Sequence, residues 1–201
     1  MQESAQQAVD HPLKDHLVCS QQIALRWHKL DKPLSDAQWC RIQTDNNKLM
    51  EVLVSSEDVA EMEQSTDKDS AKEIKKLDAK LNLLMAWIGQ IILEKQALSP
   101  AQTVSLSAKG LQFHSDDTGA LSENDNLYME LFLEPHYPQA FIALATVVQI
   151  IPGIEENDVL VKFQDINEQN QSWLDKYVFQ LHRRHVALAR KQTGRSLLNN
   201  K

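Results

Sequence analysis

The spacing of large apolar residues changes three times along this chain, and each change marks a boundary. From Leu17 to His28 (LVCSQQIALRWH) apolar and polar positions alternate imperfectly over a strand-length run. After PLSDAQW, where Ser35 or Asp36 offers a helix cap, the spacing lengthens and predicts a helix from about Ala37 to Val54. The stretch SSEDVAEMEQSTDKDSAKE has mixed charge and few large apolar residues, so it contributes little core and reads as a polar linker or loose helix over 56–73.

From Ile74 the period becomes helical and strict. Ile74, Leu77, Leu81, Leu84, Ile88, Ile91 and Leu98 fall on alternating steps of three and four, interrupted where Lys95 takes an apolar position. In the upstream register the same positions hold Ser70, Asp67 and Glu63, so the seam starts near Ile74, and Ser99-Pro100 ends it. Met85, Trp87, Ile92 and Leu93 lie off the seam and make its second half apolar around much of the circumference. Packing on one core covers one side only. The seam therefore predicts self-association over 74–98, as a dimer or, covering that surface better, a tetramer.

Beyond Pro100 the period is two. Thr103–Ser107, Leu111–His114, Leu127–Leu133, Phe141–Ile151 and Asp158–Gln164 read as strands, separated by SDDTG, SEND, EPHYP and PGIEEND. Short strands with such turns predict an antiparallel meander or small barrel. A final helix, about Gln169 to Lys191, carries Leu174, Tyr177, Val178, Leu181, His185 and Leu188 on one stripe. The expected class is α+β: a flexible N-terminus (1–16), a strand and helix (17–55), the polar segment (56–73), the heptad helix (74–98), a barrel with its closing helix (99–191) and a flexible tail (192–201).

Composition narrows the function. A chain of 201 residues with 42% hydrophobic content is long enough to bury a core. Its formal charge of −7 argues against a nucleic-acid partner, which needs a basic face. The start, MQESAQQAVDHPLKDH, has no apolar run of the signal-peptide kind, and Leu83–Leu93 and Phe141–Ile151 fall short of the roughly 20 residues of a membrane span. The expectation is a cytoplasmic chain with Cys19 and Cys40 as reduced, buried thiols.

Candidate chemistry is sparse. His182 and His185 could share one helix face, yet no third ligand accompanies them and Arg183 and Arg184 sit beside them, so no metal is expected. Five glycines leave no room for a phosphate cradle, and no nucleophile elbow, P-loop or zinc-protease motif occurs. Asp116, Asp117, Glu123 and Asp125 are turn residues. Trp27, Trp39, Trp87 and Trp173 lie in separate elements and read as core anchors. Nothing points to an enzyme. What remains is Ser105-Leu106-Ser107-Ala108-Lys109-Gly110 between two strands, where Gly110 is expected to supply a positive φ and Ser107 to bond the turn backbone.

The order strand, SxSxxG, strand, more strands and terminal helix resembles the PilZ domain, a bacterial six-stranded barrel known as a receptor for cyclic di-GMP. The added LDAKLNLLMAWIG before LSPAQTVSLSAKGLQF, with WLDKYVFQLHRRHVALARK at the end, is similar to the atypical PilZ subfamily, in which a long heptad helix drives tetramers. The resemblance spans about Leu17 to Lys191. It implies a non-catalytic signalling adaptor in cyclic di-GMP pathways (motility, biofilm, virulence) with an unidentified protein partner.

Two departures argue against the dinucleotide as a ligand. The family loop begins with Asp or Asn where this chain has Ser105, and ligand-binding members carry RxxxR before the barrel, where this chain reads Ala97-Leu98-Ser99-Pro100-Ala101-Gln102. No arginine occurs between Arg41 and Arg183. Lys109 is a point charge that cannot stack as guanidinium does. Each missing charge-assisted bond costs about 1.5–3 kcal/mol, so two weaken binding more than about a hundredfold. No cofactor is therefore expected; the runner-up reading is a direct receptor that takes arginines from elsewhere, such as Arg183 or Arg184.

Overall fold

The computed structural model describes residues 13–14, 16–62, 100–115, 121–135, 137, 139–153 and 157–198, together with 73, 76–77, 79–81, 83–85, 87–89 and 91. Strand β1 (Cys19–Lys29) leads to helix α1 (Asp36–Met62). The described positions between 73 and 91 are all helical and form α2. Then come β2 (Gln102–Leu106), β3 (Gly110–Ser115), β4 (Asn126–Phe132), β5 (Phe141–Ile151), β6 (Asn157–Gln164) and helix α3 (Glu168–Leu198).

The six strands close a barrel in the order β1-β2-β3-β6-β5-β4, every neighbouring pair antiparallel. Alternation explains its interior. On β5, Phe141, Ala143, Ala145 and Val147 point inward, and Leu127, Met129 and Leu131 do so on β4, beside Leu106, Leu111, Phe113, Val159 and Val161. A shift in register between Val147 and Gln149 marks a bulge in β5. β1 closes the barrel by pairing with β2 through Cys19–Ile23 and with β4 through Ala24–Lys29.

Two helices cover one side of the barrel. α1 starts at a capping box: the Gln38 N–H donates to Ser35 Oγ at 3.4 Å while the Ser35 N–H donates to Gln38 Oε1 at 3.0 Å. Of the two candidate caps, Ser35 is the one used. α3 starts where Asn167 Oδ1 accepts the Asn170 N–H at 2.7 Å. Asn170 donates to the Gln43 carbonyl (3.0 Å) and Gln180 to the Val54 carbonyl (3.0 Å), so both chains advance together and the helices run parallel. Their shared apolar seam is Leu49, Met50, Leu53 and Val54 against Leu174, Tyr177, Val178 and Leu181.

Several expectations are corrected. α3 reaches Leu198, so most of the expected tail 192–201 is helical, and α1 runs past Val54 to Met62, which makes 56–62 the helical alternative of the segment read as linker or loose helix. Both extensions lack a regular apolar stripe, which is why periodicity ended the helices early. Cys40 is exposed on the outer side of α1, not a buried thiol; Cys19 is buried, burial pushes its thiol pKa up, and its Sγ lies 3.4 Å from the Val178 carbonyl. Trp87 is exposed, while Trp27 and Trp173 pack on the core. No helix among the described residues is long and apolar enough to cross a membrane.

Candidate functional site

Residues 107–110 form the turn that joins β2 to β3. Leu106 pairs with Leu111, and the Ser107 N–H donates to the Gly110 carbonyl at 2.9 Å. The Ser107 hydroxyl, fully buried, accepts the N–H groups of Lys109 and Gly110 and lies against the Gly110 carbonyl, each at 3.1 Å. A side-chain oxygen at the first corner thus takes amide protons that a tight turn leaves unpaired.

This bonding corrects the expectation for Gly110. Among the described residues no glycine has positive φ; Asn124 (71°) and Asp165 (52°) are the two residues that do. Gly110 is the first residue of β3, buried and opposite Lys162 on β6. Its lack of a side chain serves a close fit under the turn, since Ser107 already caps the bend. The Ala108 carbonyl accepts from Gln171 Nε2 (2.7 Å) and the Lys109 carbonyl from the Phe163 N–H (2.8 Å), which tie the turn to α3 and β6.

The other candidates separate. Ser105 is half-buried on β2, opposite Ser20 and Gln112. Lys109 is exposed beside the turn. Arg183 and Arg184 are exposed on α3, twelve and thirteen residues beyond the Gln171 that touches the turn, which is about 18 Å along the axis. The structure does not bring them to the loop. Leu98, which would stand first in an RxxxR register with Gln102, lies outside the described residues, as does Ile74. Gln102 itself accepts the His114 N–H at 3.0 Å.

Sequence reading missed two cations. Lys162 faces Gly110 across the β3–β6 ladder and so stands near the turn; only strand pairing reveals it. Arg26 sits on the outer face of β1, where its Nε donates to Glu130 at 2.7 Å and its guanidinium lies 5.8 Å from the Phe132 ring centre. With Ile42, Asp45, Asn46 and Gln139 it lines a cleft of about 270 Å³ between α1 and the barrel. Arg26 is seven residues along β1 from Cys19, whose partner Leu106 adjoins the turn, hence about 23 Å away. It cannot serve the turn.

On α2 the described seam residues Leu77, Leu81, Leu84, Ile88 and Ile91 are exposed, as are Leu83 and Trp87 beside them. Among the described residues no three His, Cys, Asp or Glu side chains gather into a metal site.

The fold has a known counterpart. A structure of a pathogenic protein from Xanthomonas campestris, described as a tetrameric PilZ domain self-assembled via an unusual helical bundle, superposes with a TM-score of 0.66 at 21% identity, over 87% of this chain and 92% of that one. The PilZ domain of YcgR from Escherichia coli, solved with c-di-GMP, gives a TM-score of 0.36 at 18% identity, over 45% of this chain and 80% of that one. Among curated proteins nothing matches. The family model described as "Atypical PilZ domain, cyclic di-GMP receptor" matches residues 50–191, well over half of the sequence. The chain, a six-stranded barrel carrying a heptad helix and a Ser107-capped turn, belongs to the atypical PilZ domain family.

Proposed function

We propose that this chain is a non-catalytic interaction module of cyclic di-GMP signalling, assembled through α2, that contacts a protein partner and does not hold the dinucleotide at residues 105–110. The observation that carries this reading is Ser107: its hydroxyl is buried and engaged with the backbone of its own turn. A ligand phosphate at that turn would meet Lys109 and Lys162 but no guanidinium, and ammonium groups neither bind bidentately nor stack on guanine. The exposed seam of α2 supports assembly, and the bundle-forming Xanthomonas protein of like fold supports it further.

Calorimetric titration of the full chain with cyclic di-GMP tests the ligand half of the proposal. No heat of binding is expected at micromolar dinucleotide. The variant Leu98→Arg/Gln102→Arg/Ser105→Asp restores RxxxR and the first loop carboxylate, and is expected to bind. Because Leu98 belongs to the seam and Gln102 holds the His114 N–H, mass and melting temperature are measured on the same sample. Micromolar binding by the unmodified chain, abolished in Arg183→Ala/Arg184→Ala, would establish the direct-receptor reading instead.

A further inference from the structure

Charge is unevenly distributed along this chain. From Lys176 to Leu198 it carries six Lys or Arg and no Asp or Glu, whereas the whole chain stands at −7, which leaves −13 for the rest. That segment lies within α3. A helix turns 100° per residue, and the buried Leu174, Tyr177, Val178 and Leu181 mark the side that faces the protein. Phe179 lies on the opposite side and is 54% exposed. Lys176, Phe179, Arg183, Val186 and Arg190 succeed one another at steps of three and four, which sets them in one line along the outward side. The three cations are exposed and Val186 is half-exposed.

Three cations alternating with two apolar groups restrict what can lie against them. A helical protein partner would bury the cations in the seam itself, where desolvation opposes binding. The phosphates of a duplex would engage the cations, but its bases are stacked inside and offer nothing to Phe179 and Val186. A lipid headgroup layer engages both: the cationic heads reach phosphates while their methylene stems and the Phe179 ring lie at the edge of the acyl region. We propose that the outward face of α3 docks on an anionic lipid bilayer as a peripheral contact. Charge complementarity selects this occupant, because the negative surface attracts α3 and repels the acidic remainder, which orients the molecule.

The test is flotation of the full chain with vesicles of phosphatidylcholine alone, or of two parts phosphatidylcholine to one part phosphatidylserine. Binding is expected to the mixed vesicles only, and to weaken as salt rises. Lys176→Glu/Arg190→Glu is expected to lose more than about twenty-five-fold in partitioning, at about fivefold for each of the two basic charges removed and more for the two carboxylates that replace them. Phe179→Ser should weaken binding several-fold while leaving its salt dependence unchanged, which a purely electrostatic attraction would not show. All three positions are exposed, and circular dichroism checks that the variants fold. Equal binding to both vesicle types, unchanged binding by the charge-reversed variant, or tighter binding to duplex DNA or poly-glutamate than to mixed vesicles would overturn the proposal.

Discussion

Leu106, Leu111, Phe113, Leu127, Met129 and Leu131 in the barrel are withdrawn from solvent, whereas Leu77, Leu81, Leu84, Ile88 and Ile91 on α2 are 48–71% exposed. The residue types are alike; the difference lies in how each element can bury them. A closed sheet encloses its inward face and leaves no edge to pair, so the barrel is complete within one chain. A heptad helix has nothing to enclose, and its seam gains only from other helices. Full burial of such a side chain contributes about 1.5–3 kcal/mol, so covering these half-exposed groups is worth on the order of 1 kcal/mol each. Two regions of one chain thus differ in how they treat apolar groups: the barrel encloses them, and α2 leaves its described ones at the surface.

The largest expected effect tests the sealed half. Phe113→Ala empties the barrel centre and should cost about 3–5 kcal/mol in urea unfolding. A loss under about 1 kcal/mol would mean that the interior is not packed around that ring. The open half is tested by Leu81→Asp/Ile88→Asp. Light scattering should find the unmodified chain as an oligomer and the variant as a monomer with an intact barrel spectrum. A monomeric unmodified chain at micromolar concentration would end the contrast, since α2 would then need no cover.

Next come changes inside the turn, which sharpen the claim that the turn is part of the sealed region. Ser107→Ala leaves the Lys109 and Gly110 amides without their acceptor and should cost about 1–3 kcal/mol. Gly110→Val forces a branched side chain into a buried position and should cost a similar amount, about 1–3 kcal/mol. Ser105→Ala removes only a half-buried hydroxyl and should change stability by less than about 0.5 kcal/mol. Equal melting temperatures for the three variants would refute this description of the turn.

The smallest expected effect lies at the barrel rim. Asp125 accepts from Lys29 Nζ at 2.8 Å and from the Ser122 N–H at 2.8 Å; the lysine foremost, then the amide, holds its carboxyl below the ordinary range. A depressed folded-state pKa stabilises the fold above the unfolded-state pKa, and that contribution is lost as pH falls through the folded one. Asp125→Asn should therefore flatten the decline in melting temperature below about pH 4. An unchanged acid limb would remove Lys29–Asp125 from the list of rim contacts that matter.

The strands and the start of α1 were legible because neighbours in the chain decide them. Alternation on β5 requires only that one face be wet, and Ser35 with Gln38 caps α1 through bonds three residues apart. The SxSxxG turn was located in the same way, but its use was not: the Ser107 hydroxyl closes the bend, so Gly110 needs no positive φ. Helical residues 192–198 were missed because QTGRSLL has no apolar stripe and holds Thr, Gly and Ser, which favour a helix weakly, and over 56–62 the same lack of a stripe left linker and loose helix as alternatives.

By itself, the sequence determined where apolar groups recur, and therefore a barrel of short strands, a heptad seam and a chain short of arginine near the turn. Tertiary structure alone decided what meets across long separations. Gln43 and Asn170 join α1 to α3 over 127 positions, Asn46 pairs with both backbone groups of Ile142, and Lys162 arrives opposite Gly110. It also decided that Phe179 faces outward, since which side of α3 is covered depends on the barrel and α1 lying on the other. The physical reason is range: periodicity and capping act within a few residues, whereas pairing of buried amides and the choice of a covered face exist only once the barrel has closed.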